Sequence, residues 1–137
     1  MQLKSYSVSA QTDSVLYATK ITSRDHSLVS DEPIEQGGGN AGMRPHELLL
    51  AALASCTCIT IKMYAERKLW KLKHINAELV MERTVDSGIH TTKVIQELFF
   101  DGDLDETMKN RLVEIASHCP VHKTLAPTIT IETRLKQ

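Results

Sequence analysis

The chain has 137 residues, with 16 lysine and arginine residues against 17 acidic ones and a formal net charge of −1. This length suits one domain with a real core, and the balanced charge provides no large single-sign field to attract nucleic acid or anionic lipid. We therefore predict a single domain, residues 1–137, that binds neither nucleic acid nor membrane.

The N-terminal residues lack the basic start, apolar stretch and cleavage site of a secretory signal, which predicts a soluble cytoplasmic protein. Three cysteines are present, at positions 56, 58 and 119. In a reducing compartment an odd number of cysteines argues against a structural disulfide framework. Catalysis, metal binding and simple burial remain as their roles.

The N-terminal third is rich in β-forming residues. Runs over residues 3–10, 15–22 and 26–29 are separated by polar turn clusters and predict an antiparallel meander. Residues 31–43 contain the triplet Gly37-Gly38-Gly39 and predict a long connecting loop. The triplet lacks the flanking strand and lysine of a phosphate-binding loop, so nucleotide binding is not expected.

Residues 45–68 predict one long helix. Pro45 suits the first helical position, and Glu47 suits the positive end of the helix dipole. Residues 48–54 are apolar nearly all round the helix, which indicates burial on several sides. Because so small a domain has difficulty covering such a helix alone, we predict an intimate homodimer.

Two further strands are expected after the helix. Residues 72–85 and 91–100 have strand-like composition and flank the sequence Asp86-Ser87-Gly88, in which glycine tolerates positive φ. These segments are predicted to pair as an antiparallel hairpin.

The C-terminal third predicts a second helix and a last strand. Asp103 and Glu106 have the spacing of an acidic capping box, and apolar residues follow at helical spacing over residues 104–118. Pro120 ends or restarts that helix, and the alternation over residues 128–135 predicts a closing strand. The predicted class is α+β with a mainly antiparallel sheet.

Two cysteines have the setting for redox chemistry. A thiol attacks peroxide as its thiolate, which needs a helix N-terminus, a cation or a hydrogen-bond donor nearby. Cys119 directly precedes Pro120, so free N–H groups and a helix dipole are expected to make its thiol more acidic. Cys56 lies about three turns into the long helix. Its activation must therefore come from another side chain, for which Arg24 and His46 are candidates.

Around the predicted helix, Glu47 and Cys58 both lie on the opposite side from Cys56. At about 100° per residue, Glu47 lies about 180° from Cys56 and would reach it most easily across a dimer interface. Cys58 lies about 200° away, so the two side chains diverge and cannot form a bridge without breaking the helix. We therefore interpret Cys58 as a buried bystander.

The chain resembles the OsmC/Ohr family of organic hydroperoxide reductases. The resemblance is carried by PHELLLAALASCT over residues 45–57 and CPVHKTL over residues 119–125. The segments DEP at 31–33 and MYAERK at 63–68 are also similar to that family, so the match covers nearly the whole chain. Two cysteine motifs in this order and at this separation are far more specific than either alone.

The resemblance implies an OsmC-like fold, an intertwined homodimer with active sites at the subunit interface, and a peroxidase that needs no metal or flavin. By the same resemblance, Cys56 attacks the peroxide and becomes a sulfenic acid, and Cys119 condenses with it to a disulfide. An external dithiol, a lipoylated protein in some members, restores both thiols. Well-studied members carry a glutamate directly after the motif proline, where this chain has His46 followed by Glu47. Arg24 lies in the region of the family's catalytic arginine.

Less specific interpretations stay open. A cysteine in an apolar helix is most often a small buried hydrophobe, and Glu47 can be no more than a first-turn partner of the helix dipole. Two other functions are considered: a zinc-binding protein that uses Cys119 and His122 with Cys56 or His118, and a noncatalytic carrier of small apolar molecules. For a peroxidase, the leucine-rich wall around Cys56 favours a substrate with an apolar tail.

Overall fold

A computed structural model describes residues 2–13, 15–127 and 129–136. It contains both helices and antiparallel strands, so the predicted α+β class is confirmed. The chain divides into two compact units, Met1–Leu49 and Leu50–Gln137. In chain order the elements are β1 Ser9–Thr12, β2 Thr19–Ser23, β3 His26–Ser30, a short 3₁₀ helix Ile34–Gln36, α1 Pro45–Arg67, β4 Lys71–Asp86, β5 Ile89–Asp103, α2 Glu106–Ala116 and α3 Pro120–Leu125.

The first unit contains the predicted meander, with the antiparallel order β1-β2-β3. Its limits differ from the prediction: residues 3–8 lie outside β1, and β2 begins only at Thr19. Leu16 has a positive φ of 46° in the intervening turn, a conformation that a strand cannot contain. β2 and β3 are joined by a two-residue turn in which Arg24 has a φ of 52°.

The predicted loop over residues 31–43 is organised around one buried carboxylate. Asp31 accepts hydrogen bonds from the backbone N–H groups of Glu32, Ala41 and Gly39 at 2.8, 3.0 and 3.2 Å. The hydrogen bond from Ala41, with those from the other two, holds the pKa of Asp31 below its ordinary value although burial acts in the opposite direction. The loop is therefore an ordered structure.

Helix α1 begins where the sequence predicts. The Glu47 carboxylate accepts a hydrogen bond from the backbone N–H of Arg44 at 2.8 Å, which is one half of a capping box. The Arg44 guanidinium also pairs with Glu32 at 3.2 Å. The interpretation of Glu47 as a first-turn partner of the helix therefore has a specific contact.

Helix α1 packs on one side only within this chain. Its buried residues lie four apart, at Leu53, Thr57, Ile61 and Ala65. Elsewhere on the helix Ile59 is 59% exposed and Met63 is 56% exposed. The burial on several sides expected for residues 48–54 is also incomplete within one chain, since Leu53 is buried but Leu49 is 41% exposed.

The apolar character of α1 has a second consequence. By length and composition it could cross a membrane, and within the described residues it is the one helix of which this is true. Core helices of soluble proteins share these properties, so this is weak evidence for a membrane protein.

The second unit is built on the predicted hairpin, in which β4 and β5 pair antiparallel from Lys71↔Asp103 to Asp86↔Ile89. Ser87 and Gly88 form the turn with φ values of 50° and 81°, the paired positive values of a type I′ hairpin turn. The core of this unit joins α1, the hairpin and α2. Its buried residues are Ile61, Ala65, Leu72, Phe100, Leu112, Ile115 and Ala116.

Helix α2 begins later than predicted, at Glu106. Its N-cap is Asp105, whose carboxylate accepts the backbone N–H of Met108 at 2.8 Å, whereas Asp103 is the last residue of β5. The capping box predicted at Asp103 is therefore wrong, because strand pairing extends through that residue. A separate helix, α3, begins at Pro120 as predicted.

Over its described residues, 129–135, the predicted closing strand is not formed. Thr128, its first residue, lies outside the described residues, and residues 129–135 have no assigned strand. Ile131 and Leu135 are 85% and 92% exposed. Alternation in a sequence predicts a face but not a neighbouring strand, and within the described part of the chain this segment pairs with none.

Candidate active site

The two cysteines singled out from the sequence are brought together. Cys56 lies half-buried on α1, Cys119 is fully buried, and the two thiols are close enough for Cys56 to affect the ionisation of Cys119. Both are free thiols. Residues 63 positions apart in the chain therefore form one thiol pair within the second unit.

Cys119 occupies the N-cap position of α3. Its sulfur accepts a hydrogen bond from the backbone N–H of His122, with 3.4 Å between nitrogen and sulfur. The pKa of Cys119 is nevertheless raised: burial has the largest effect, the neighbouring thiol of Cys56 adds to it, and the N–H groups of His122 and Val121 only partly oppose them. The helix end therefore acts on Cys119 in the expected direction, but burial outweighs it and the net pKa is raised.

A polar pair includes the residue that follows Cys56 in the sequence. Thr57, the neighbour of Cys56, has no exposed surface, and its hydroxyl donates to Oε1 of Gln96 at 3.0 Å. Gln96 lies on β5 and is half-buried. Neither residue was identified from the sequence. The available signal was a polar residue at an inward position of an otherwise apolar row.

A cavity of about 170 Å³ adjoins these groups, and we call it the Gln96 cavity. Two of its lining residues are polar, Gln96 and His122, and the others are Leu53, Val94, Leu125 and Ala126. His122 bonds Cys119 through its backbone, and Gln96 bonds the neighbour of Cys56. Through His122 the cavity lies close to Cys119, although neither cysteine is among its lining residues. It could accept a small apolar group with one or two polar atoms.

The other predicted site residues, Arg24 and Glu47, belong to the first unit. Arg24 is exposed in the turn between β2 and β3. Glu47 is also exposed, and its carboxylate accepts a hydrogen bond from the backbone N–H of Arg44. His46 is exposed beside it in the first turn of α1. The role of these residues toward Cys56 stays a prediction.

Cys58 lines a different cavity, of about 370 Å³, on the side of α1 that faces β4. Burial raises the pKa of this thiol, so it is protonated at neutral pH and is a poor nucleophile. A zinc site of the kind considered above needs at least three ligating side chains close together. Within residues 2–13, 15–127 and 129–136, no three histidine, cysteine, aspartate or glutamate side chains lie close enough together to hold a metal ion.

Comparisons with solved structures show the same fold. An OsmC-like protein from Mycoplasma pneumoniae is 20% identical with a TM-score of 0.78, over 89% of this chain and 87% of that one. Organic hydroperoxide resistance proteins from Legionella pneumophila and Elizabethkingia anophelis are 18% and 15% identical, with TM-scores of 0.70 and 0.69. The Legionella alignment covers 92% of each chain, and the Elizabethkingia alignment covers 91% of this chain and 90% of that one.

The sequence comparisons gave one match, to a family model. No curated protein sequence matches the chain significantly. The family model described as OsmC-like protein matches residues 37–134, a range that contains α1, the hairpin and both cysteine motifs. On this match, the chain belongs to the OsmC-like protein family.

Proposed function

We propose that this protein is a thiol-dependent peroxidase that reduces organic hydroperoxides through a Cys56 sulfenic acid and a Cys56–Cys119 disulfide. The observation that carries the proposal is the pair of free thiols, Cys56 and Cys119, which lie close enough to affect ionisation, together with a largely apolar cavity lined by His122, the residue that bonds Cys119. The organic hydroperoxide resistance proteins among the solved structures with this fold support it. In this proposal the enzyme is cytoplasmic and needs no cofactor.

The proposed reaction has three steps. The Cys56 sulfur attacks the terminal peroxide oxygen, an S–O bond forms, the O–O bond breaks, and the alkoxide takes a proton and leaves as the alcohol. Cys119 then loses its proton and its sulfur attacks the Cys56 sulfur, so that a disulfide forms and water leaves. An external dithiol, such as a lipoylated protein, reduces the disulfide by thiol–disulfide exchange and is itself oxidised.

The different environments of the two thiols support this assignment of roles. Cys119 is fully buried, and its raised pKa keeps the proton on its sulfur at neutral pH. Cys56 is only half-buried, so a substrate can reach it more easily. A protonated Cys119 can donate its S–H to the Cys56 sulfur during the attack and resolve the intermediate afterwards.

Arg24 and Glu47 are proposed to activate Cys56. An arginine near a thiolate favours the charged form, and a carboxylate can orient that arginine. In this chain Glu47 also caps α1, so a Glu47 variant combines a helix effect with any catalytic effect.

We further propose that the protein is a homodimer. Ile59 and Met63 on α1 and Phe99 on β5 are each more than half exposed, and all three are large apolar side chains. A second copy of the chain would cover the apolar surface of α1 that one chain leaves in water. Sedimentation of the wild type is expected to show a dimer, and Ile59→Glu is expected to shift it toward monomer. A monomeric wild type at micromolar concentration would contradict the proposal.

The substrate class can be tested by steady-state kinetics. We expect kcat/KM for cumene hydroperoxide to exceed that for hydrogen peroxide by at least about tenfold, since burying even one additional methylene group contributes this much. An equal or reversed preference would contradict an organic substrate. A wild type that is inert to all peroxides in the presence of dithiols would favour the noncatalytic carrier, and stoichiometric zinc in the purified protein would favour the metal-binding alternative.

A further inference from the structure

Gln96 is a polar exception in an inward-facing row. On β5 the residues at positions 94, 96, 98 and 100 are half-buried or buried, while those between them are exposed. Gln96 is the polar member of that row, the others being valine, leucine and phenylalanine. On α1, Thr57 is likewise the polar member of the buried row with Leu53, Ile61 and Ala65. The two exceptions are hydrogen-bonded to each other.

This hydrogen bond fixes the direction of the Gln96 amide. Thr57 donates to Oε1, so the other end of the carboxamide, Nε2, provides two N–H donors. Within the described residues, the bond to Thr57 is the one side-chain hydrogen bond of Gln96. Because Gln96 lines the Gln96 cavity together with His122, these donors can serve a molecule held there.

The hydrogen bond between Thr57 and Gln96 is not needed merely to satisfy the buried hydroxyl of Thr57. A threonine inside a helix can donate to the carbonyl one turn earlier in its own helix. Burial of Thr57 therefore does not require a glutamine from β5. A glutamine at this inward position gives the cavity something that an apolar residue does not, namely a donor on an otherwise largely apolar wall.

We propose that Gln96 donates a hydrogen bond to the peroxide oxygens of the substrate and that Thr57 is a positioning residue that holds its amide. This inference rests on the proposed peroxidase function. As the Cys56 sulfur forms its bond to the terminal oxygen and the O–O bond breaks, negative charge develops on the departing oxygen. An N–H directed at that oxygen stabilises the charge without transferring its proton, and the alkoxide is protonated by water.

The first test uses Gln96→Met, which keeps the side-chain length but removes both donors. The rate constant for oxidation of Cys56 by cumene hydroperoxide is expected to fall about ten- to a hundredfold, somewhat less than the effect of one donor in an oxyanion hole. Alkylation of Cys56 by iodoacetamide uses the same thiolate with no oxygen leaving group, and its rate is expected to be unchanged. Glu97→Gln, at the adjacent exposed position of β5, is the matched control and is expected to behave as wild type.

The second test uses Thr57. Thr57→Val removes the hydroxyl at nearly constant volume and is expected to slow peroxide oxidation about three- to tenfold, the effect of one neutral hydrogen bond. Thr57→Ser restores the hydroxyl and is expected to recover most of the rate. Thermal unfolding of each variant checks that the fold is kept.

The outcomes separate this inference from the peroxidase proposal. If the wild type reduces cumene hydroperoxide and Gln96→Met does so equally fast, Gln96 makes no such contact while the peroxidase stands. If alkylation slows in parallel with peroxide oxidation, Gln96 acts on the thiol or the fold, and the inference is wrong. A wild type that reacts with no peroxide but is alkylated normally overturns both.

Discussion

Replacement of Cys56 by serine is expected to lower peroxide consumption by more than about 10³-fold, as removal of an essential nucleophile does. Serine has nearly the same size, but its hydroxyl is not ionised at neutral pH and cannot form the sulfenic acid. The measurement is steady-state consumption of cumene hydroperoxide with a dithiol as reductant. Cys58→Ser is the matched control, since it makes the same change two residues later in α1 at a residue that lines the other cavity.

Cys58→Ser is expected to keep at least about half of the wild-type rate, within the small effect typical of substitutions outside a reaction site. Loss of activity in Cys58→Ser with retention in Cys56→Ser would reverse the assignment of the nucleophile.

The proposed activation of Cys56 by Arg24 and Glu47 can be tested by comparing variants of these two residues with the wild type. If those residues activate Cys56, Arg24→Ala and Glu47→Gln are each expected to slow the alkylation of Cys56 by iodoacetamide at neutral pH. If Glu47 only caps α1, Glu47→Gln lowers the thermal stability and leaves the alkylation rate unchanged.

Replacement of Cys119 by serine is expected to stop the reaction after its first step. Cys56 still attacks one equivalent of peroxide, but no thiol is then adjacent to condense with the sulfenic acid. Intact mass should show one added oxygen, and dimedone should label Cys56. Wild-type protein treated in the same way should instead lose two hydrogens and take no dimedone. A Cys56–Cys58 bridge in either protein would contradict the proposed pairing.

The second step should also depend on pH in a defined direction. Cys119 attacks as its thiolate, and burial together with the neighbouring thiol of Cys56 raises its pKa. The thiolate fraction therefore increases as pH rises from neutrality, and disulfide formation is expected to accelerate over that range. Stopped-flow measurement of the second phase after mixing with peroxide tests this, and a rate that falls with rising pH would argue against Cys119 as the attacking group.

Local sequence signals predicted the elements that build the candidate site. Pro45 at the start of α1 and the Ser87-Gly88 turn predicted the helix and the hairpin. Most of the predicted ends of these elements lie within one or two residues of the observed ends. Both signals act through backbone geometry over a few residues, which is why they are readable from sequence. The contact between Cys56 and Cys119 is long-range, and it was expected from the resemblance of two motifs to a family.

The errors share a physical cause, which is that tertiary structure outweighed a local preference. Asp103 and Asp105 are both good N-caps, and pairing of β5 with β4 decided between them. Cys119 does lie at a helix N-terminus, but burial, which the sequence does not report, raised its pKa. Gln96 was missed because its significance depends on Thr57 across the core, not on its own neighbours in sequence.

The segment between β3 and α1 has a further consequence for the family. Its two ends are tied together, because the backbone N–H of Asp31 and the hydroxyl of Ser30 both donate to the carbonyl of Met43 at 3.2 and 3.0 Å. It is therefore an Ω-loop, closed at its neck. Relatives could lengthen or shorten its exposed tip around residues 35–36 at little cost and still begin the cysteine-bearing helix at the same place.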